Sequence, residues 1–130
     1  MNKKPLAIAL FGPTACNKTE TAIQLALKFK GEIISFDSVQ IYQGLDIGSA
    51  KPSLEEQKRV PHYLIDFASP HKKLSVFEVV QEAKKKAFQI LAKQKIPIFC
   101  GGTGLYFKAL FYGLFEGPPS QPHVRQKIRQ

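Results

Sequence analysis

Two short apolar segments, each followed at once by glycine and then by a helical pattern, constrain the fold of this chain most. The first is Leu6–Phe11, which precedes Gly12, and the second is Ile96–Cys100, which precedes Gly101. Short runs of this kind are typical of parallel strands buried on both faces. A third strand, Glu32–Phe36, follows the first helical pattern. The alternation predicts an α/β fold, a parallel sheet flanked by helices.

Helical patterns occupy most of the remaining chain. Thr19–Phe29 has helical spacing, and so has the stretch from Ser75 to Lys95, whose apolar stripe consists of Val76, Val80, Ala83, Ala87 and Leu91. Ser53 with Glu56, and Ser75 with Glu78, have the spacing of capping boxes at helix starts. Pro61–Phe67 is expected to form a short strand. We expect residues 1–115 to form the α/β core and 116–130 to form a linker and the start of a further helical region.

The loop after the first strand has the frame of a phosphate-binding loop. Gly12, Lys18 and Thr19 match the pattern G-x-x-x-x-G-K-[ST], but Asn17 stands where that pattern has its second glycine. Asn tolerates left-handed backbone better than other non-glycine residues, so we expect a weakened anion site that still functions. Its binding residues are predicted to be Gly12, Pro13, Thr14, Ala15, Cys16, Asn17, Lys18 and Thr19. Thr19 is the expected ligand of Mg²⁺.

Two other strand ends contribute to the same edge of the predicted sheet. Asp37 follows the second strand, and Thr103 lies in the glycine-rich segment Gly101–Gly104. Because the carboxyl ends of parallel strands meet at one edge, these residues and the phosphate-type loop are expected to share a crevice. From the residues alone, Asp37 is either a general base or a water-mediated metal ligand, or it stabilises a turn. All three interpretations stay open.

The composition excludes several classes of protein. The chain has 130 residues, of which 44% are hydrophobic and 22% charged, as expected for one folded domain. Its two cysteines lack metal-site spacing, which favours reduced thiols in the cytoplasm. No apolar run reaches the ~18 residues that span a bilayer. The formal charge of +9 favours a polyanionic partner, either nucleic acid or a phosphorylated substrate.

Taken together, these segments resemble the tRNA dimethylallyltransferase (tRNA isopentenyltransferase) family. The resemblance is carried by four segments in the family's order: GPTACNKT, EIISFDSVQIYQGLDIGSAKPS, VPHYLID and CGGTGLYFKALFYGL. It covers the chain from about Leu6 to Pro119. The combination of DSVQIYQGLDIGSAKP with GGTGLY is much more specific than a phosphate-binding loop. The implied fold is a P-loop NTPase-like parallel sheet.

The resemblance implies the transfer of a dimethylallyl group from its diphosphate to the N6 amine of an adenine beside a tRNA anticodon. The loop would then hold the donor's diphosphate with Mg²⁺, where other proteins of this fold hold a nucleotide such as ATP. Asp37 would be the general base, and Thr103 would lie at the target nucleotide. Asp37, Ser38, Val39, Gln40 and Thr103 would contact tRNA. The expected protein is a cytoplasmic monomer that does not associate with membranes.

Three departures from the family pattern bear on activity. Cys16-Asn17 replaces the family's Ser-Gly, and Tyr63 replaces a His. Family members are also at least about twice as long, so we expect a truncated chain with impaired activity that lacks the family's later half. Two alternatives remain at this stage. One is a small-molecule kinase with a phosphate-binding loop, and the other is a non-catalytic remnant that binds RNA.

The position of Asn17 generates the first prediction. Asn17→Gly should tighten the binding of Mg²⁺-diphosphate, because it removes side-chain crowding and backbone strain at the second glycine position. Such strain is worth about 1–3 kcal/mol, so the gain should be several-fold to about a hundredfold. Calorimetric titration with inorganic diphosphate and Mg²⁺ measures the change. Unchanged or weaker binding would refute the idea that Asn17 damages the site.

Overall fold

The computed structural model of the chain describes residues 7–12, 18–44 and 51–114. Within these ranges there are four strands and four helices. The strands are β1 (Ile8–Phe11), β2 (Gly31–Ser35), β3 (His62–Tyr63) and β4 (Ile96–Gly101). The helices are α1 (Lys18–Phe29), α2 (Leu54–Arg59), α3 (Val76–Ala92) and α4 (Gly104–Leu114). None of these helices is long and apolar enough to cross a membrane.

All strand pairs are parallel, and the described strands follow the order β1-β4-β2-β3. β4 therefore lies between β1 and β2, with Ile98 opposite Ile8 on one side and Ile33 on the other. This arrangement confirms the parallel α/β sheet predicted from the apolar segments. It also brings the carboxyl ends of β1, β4 and β2 side by side.

Helices cover both faces of the sheet. On one face, α3 packs on β2 and β4, and α4 packs on α3, around the buried side chains of Phe36, Phe99 and Tyr106. On the other face, α1 packs on β2 and β4 through Ala22, Ile23 and Ala26. Because β2 and β4 are covered twice, their side chains are apolar on both faces over most of their length.

Both predicted capping boxes are present. The Ser53 hydroxyl accepts from the Glu56 N–H at 3.1 Å, and Ser75 accepts from Glu78 at 3.1 Å. The Glu56 and Glu78 carboxylates accept in return from the backbone N–H groups of the two serines, at 2.8 and 3.0 Å. The buried stripe of α3 is rotated slightly from the predicted one. It consists of Val79, Val80, Ala83, Ala87 and Ile90.

The segment that was expected to be a strand over Pro61–Phe67 is extended only at His62–Tyr63. Leu64 and Asp66 have φ angles of 65° and 53°, which end the extended conformation. The backbone N–H groups of residues 66–68 then donate to the carbonyls of Gln40 and Ile41. The chain after β3 thus supports the turn that follows β2.

A buried carboxylate holds the opposite end of the sheet together. Glu32 is 1% exposed, and its carboxylate accepts from Lys93 at 2.7 Å, Lys95 at 3.1 Å and the Tyr63 hydroxyl at 2.7 Å. Burial alone would raise the pKa of Glu32, but these hydrogen bonds outweigh it and keep that pKa below its usual value. Glu32 therefore joins β2 to β3 and to the chain between α3 and β4.

Gly101, the last residue of β4, has no space for a side chain. A Cβ at this position would lie 2.0 Å from the Phe36 carbonyl oxygen, whereas at Gly102 it would lie 3.1 Å from the nearest atom. Gly101→Ala should therefore cost more than the ~1–3 kcal/mol typical of overpacking, because backbone atoms must move. Gly102→Ala, the matched control, should cost much less. Urea unfolding measures both variants, and equal losses would contradict the prediction.

Candidate functional site

The ends of β1, β4 and β2 are connected by backbone hydrogen bonds. The Gly12 N–H donates to the Gly101 carbonyl at 3.4 Å, and the Phe36 N–H donates to the Cys100 carbonyl at 2.8 Å. The three segments that begin after these strands therefore leave the sheet next to each other. The predicted site residues come from these three segments.

Lys18 begins α1, and its side chain lies between the segment after β1 and the segment after β4. Its ammonium group donates to the Gly12 carbonyl oxygen. A Cβ at Gly102 would lie 3.6 Å from the Lys18 nitrogen, so backbone without a side chain faces this charge. Residues 13–17, which include Asn17, lie outside the described residues. The amino end of a helix next to a lysine is suited to binding an anion.

Asp37 stabilises the turn after β2. One carboxylate oxygen, Oδ1, accepts from the Val39 N–H at 2.8 Å and from the Gln40 N–H at 3.0 Å. The turn interpretation of Asp37 is therefore correct. These two bonds also fix the orientation of the carboxylate, and no donor among the described residues is bonded to Oδ2. Structural and chemical roles are thus compatible at Asp37.

Thr103 is connected to the residue that follows Asp37. The Thr103 hydroxyl oxygen accepts from the Ser38 N–H at 3.1 Å and lies 3.4 Å from the Ser38 hydroxyl. Thr103 comes directly before α4, and its carbonyl accepts from the Tyr106 N–H in the first turn of that helix. Val39, next in the turn, is 43% exposed. The structure thus brings Asp37, Ser38 and Thr103 together.

A cavity of about 230 Å³ lies at this edge of the sheet, on the face covered by α1. Lys18, Thr19, Asp37 and Gln40 line it, so four of the predicted site residues share one space. Ser38 lines a second, more open cavity of about 350 Å³ together with Tyr42 and Tyr106. The Asp37–Gln40 turn therefore contributes to both cavities.

Sequence reasoning assigned no role to His62, which also lines the first cavity. Its Nδ1 is 2.8 Å from the Val60 carbonyl oxygen. Because a carbonyl only accepts, Nδ1 carries a proton and Nε2 of the neutral ring is an acceptor. Nε2 is buried and has no hydrogen-bond partner among the described residues. The pairing of His62 with Ile33 of β2 places the His62 ring at the first cavity. A strand of two residues has no periodicity from which the sequence could have predicted this position.

Sequence reasoning likewise gave Cys100, which ends the third predicted strand at the crevice, no role in the site. Burial raises the pKa of its thiol, the Lys18 charge opposes this rise and the Asp37 charge adds to it. The thiol is therefore protonated near neutral pH, and a nucleophilic role does not fit it. Lys18, Asp37 and Cys100 all line the first cavity.

The cavity offers oxygen ligands of the kind that Mg²⁺ prefers. The Thr19 hydroxyl and the Asp37 carboxylate both line it. In the part of the chain that the structure describes, no group of three His, Cys, Asp or Glu residues could hold a metal ion by itself. Mg²⁺ usually keeps several waters and binds one or two protein oxygens together with substrate phosphates. The residues present fit that mode of binding.

The sheet and the site at its carboxyl edge define a P-loop-like α/β protein. Comparisons with known proteins make this more specific. The family model described as IPP transferase matches residues 40–130. The chain belongs to this family, which is the one that its sequence resembles, and the assignment argues against the small-molecule kinase alternative.

Individual relatives agree with this assignment. The tRNA dimethylallyltransferase of Stenotrophomonas maltophilia (strain R551-3) is 47% identical over 128 residues, which are 98% of this chain. A tRNA delta(2)-isopentenylpyrophosphate transferase from Staphylococcus epidermidis superposes with a TM-score of 0.79 at 50% identity, over 82% of this chain and 35% of that one. A eukaryotic dimethylallyltransferase acting on tRNA gives 0.79 at 32% identity, over 82% of this chain and 27% of that one.

The chain is shorter than its relatives. It spans 40% of the length of the Stenotrophomonas enzyme. The 128 matched residues include every predicted site residue from Gly12 to Thr103. The activity, substrates and partners of whole relatives therefore have to be argued for this chain from its own site.

The half-buried ring of His62 generates a prediction about pH. Burial lowers the pKa of His62, while the Val60 carbonyl and the Glu56 charge oppose this effect. The unfolded chain, with a His pKa of about 6.5, therefore binds more protons than the folded chain just below that pH. The free energy of unfolding should fall as the pH is lowered from about 7 to about 5, a range above the usual titration of carboxylates.

Substitution separates this effect from other titrations. His62→Gln should flatten the decrease between about pH 7 and pH 5. His71→Gln, in an exposed loop, is the matched control and should retain the wild-type slope. Denaturant unfolding at a series of pH values measures this. A slope that His62→Gln leaves unchanged would contradict the assignment.

Proposed function

We propose that this chain is the amino-terminal, catalytic part of a tRNA dimethylallyltransferase. It would contribute to transferring a dimethylallyl group from dimethylallyl diphosphate to the N6 amine of an adenine adjacent to the tRNA anticodon. The observation that carries the proposal is the shared cavity of Lys18, Thr19 and Asp37, in a chain of the IPP transferase family. Two relatives named for this reaction support it.

The donor's diphosphate would bind at the Lys18 side of the cavity. The ammonium group of Lys18, the amino end of α1 and the loop after Gly12 offer positive charge and N–H donors to its oxygens. Thr19 would hold Mg²⁺, which supplies further neutralisation of the diphosphate charge. These groups favour departure of diphosphate because negative charge grows on it as its bond to carbon breaks.

Asp37 would act as the general base. The adenine amine nitrogen forms a bond to C1 of the dimethylallyl group, and the bond between C1 and the diphosphate oxygen breaks. Diphosphate leaves with the bonding electron pair, and the proton of the amine passes to the Asp37 carboxylate. The bonds from Val39 and Gln40 to Oδ1 hold this carboxylate in place, which leaves Oδ2 to accept the proton.

The adenine would be held on the other side of the same turn. Ser38 lines the second cavity together with Tyr42 and Tyr106, and its N–H donates to the Thr103 hydroxyl, while Val39 and Gln40 follow Ser38 in the turn. An adenine must leave its stack for the amine to reach the half-buried Asp37 carboxylate, and polar groups and aromatic rings suit a base in that position. A turn that contributes to two cavities can bring donor and acceptor together.

The proposed function also bears on the oligomeric state, the location and the tRNA binding of this chain. We expect a monomeric, cytoplasmic protein whose formal charge of +9 attracts tRNA in a salt-dependent manner. Because the chain spans 40% of the length of its relative, the contacts that hold tRNA firmly are expected to be incomplete. The chain alone should therefore bind tRNA weakly and transfer little of the dimethylallyl group.

Asp37 provides the decisive test, in two proteins. One is the chain itself, and the other is a chimera in which the chain replaces the matched 128 residues of the Stenotrophomonas enzyme. Asp37→Asn keeps the oxygen that accepts from Val39 and Gln40 but removes the base, so transfer by the chimera should fall about 10²–10⁴-fold. Asp37→Ala removes the turn acceptor as well and should also lower the melting temperature.

The rate at which label from dimethylallyl diphosphate is incorporated into unmodified tRNA measures the transfer. If the Asp37→Asn chimera transfers as fast as the unsubstituted chimera, Asp37 is not the base. If the chain alone transfers as fast as the chimera, the expectation of impaired activity is wrong. A chimera that folds but transfers nothing before any substitution would contradict the proposed function itself.

A further inference from the structure

A short loop, residues 69–74, joins the chain after β3 to α3, and both of its ends are bonded to the segment that follows β2. Just before the loop, the Ala68 carbonyl accepts from the Gln43 N–H at 2.9 Å. At its end, the Leu74 N–H donates to the Tyr42 hydroxyl at 2.9 Å. The loop is therefore held beside the turn that contributes to both cavities, and its side chains have a defined position there.

The loop carries three consecutive exposed basic residues. They are His71, Lys72 and Lys73. Ser69 orders the turn that presents them, because its hydroxyl accepts from the His71 N–H at 3.2 Å and its carbonyl accepts from the Lys72 N–H at 3.1 Å. We call residues 69–74 the basic loop.

The two lysines of the basic loop have different surroundings. Hydrogen bonds from Ser75 and, to a smaller extent, the charge of Lys72 lower the pKa of Glu78, so a carboxylate partly compensates Lys72. Lys73 has no hydrogen bond or ion pair with any residue that the structure describes. It lines the second cavity instead. An uncompensated cation at a cavity is suited to an anionic group of a ligand.

The other walls of the second cavity suit a nucleotide. They come from Ser38, Tyr42, Pro70, Leu74 and Tyr106, and none of the described residues that line the cavity is acidic. Its volume of about 350 Å³ lies within the range of ~300–1,000 Å³ that is usual for ligand pockets. Aromatic side chains next to a positive charge are the combination by which proteins hold unstacked nucleotides, since the base contacts the rings and the phosphate contacts the cation.

We propose that Lys73 binds a backbone phosphate of the RNA beside the extruded adenosine, and that the basic loop thereby positions the target nucleotide. The ammonium group would contact one of the two phosphodiesters that flank this adenosine, while the base occupies the second cavity. Contacts to phosphates fix the register of a nucleic acid on a protein without reading its sequence. The inference rests on the proposed function, which supplies the adenosine, and it adds an RNA contact outside the cavity that Lys18 lines.

RNA binding by the chain and by the chimera tests this contact. The probe is a fluorescent anticodon stem-loop with an unmodified target adenosine, and anisotropy is measured at a series of salt concentrations. Lys73→Met should weaken binding about two- to fivefold at low salt, as expected for one exposed ion pair. It should also reduce the slope of log affinity against log salt by about one, whereas Lys73→Arg should retain the slope. Lys72→Met, the matched control, should change both quantities much less.

Chemical substitution of the RNA identifies the phosphate. A neutral methylphosphonate replaces, in turn, each of the two phosphodiesters that flank the target adenosine. With the unsubstituted protein, one of these replacements should weaken binding about as much as Lys73→Met does. With the Lys73→Met protein, the same replacement should have little further effect, because the two changes remove one interaction.

Several outcomes would overturn the proposal. These are equal effects of Lys72→Met and Lys73→Met, methylphosphonate effects that do not depend on Lys73, and RNA binding by neither protein. A loss of Mg²⁺-diphosphate affinity in Lys73→Met would also do so, because Lys73 would then belong to the donor site. A chimera that transfers normally but binds RNA independently of Lys73 would contradict this contact alone. A chimera whose RNA binding depends on Lys73 but that transfers nothing would contradict the proposed function and support the contact.

Discussion

The close approach of Gly101 to Phe36 is the constraint on which the site depends. Their backbones are so near that a Cβ on Gly101 would lie 2.0 Å from the Phe36 carbonyl oxygen. This proximity lets the end of β4 bond to the chain after β2 on one side and to Gly12 on the other. Lys18, Asp37 and Thr103 lie in the segments that follow β1, β2 and β4. Their positions relative to each other are therefore set by backbone packing.

Much of this arrangement could be predicted because local patterns encode it. Apolar runs ended by glycine gave the strands, and Ser-x-x-Glu spacing gave two helix starts. His62 and Tyr63 could not be placed in the same way. In a two-residue strand, only the register against β2 decides that His62 faces the cavity while Tyr63 contacts Glu32. That register depends on contacts between distant parts of the chain.

Tyr63, which replaces a His of the family pattern, has a structural role in this chain. Its hydroxyl donates to the buried Glu32 carboxylate, and Lys93 lies within 3.3 Å of the same hydroxyl. The residue thus belongs to the group that joins the far end of the sheet, away from the cavity. At Asp37 the sequence alone could not decide between two roles, because a turn and a general base both favour an aspartate. The structure adds the geometry in which one carboxylate can perform both functions.

The groups proposed to do the chemistry are present in this chain, whereas the contacts that would hold the substrate against them are expected to be incomplete. Charge, hydroxyl and carboxylate can all lie in one cavity and still react slowly if the substrate is not held against them. Correct positioning accounts for about 7–11 kcal/mol of a barrier, more than a general base normally contributes. Because the chain spans 40% of the length of its relative, we expect a chain with every predicted catalytic residue to transfer little of the dimethylallyl group by itself.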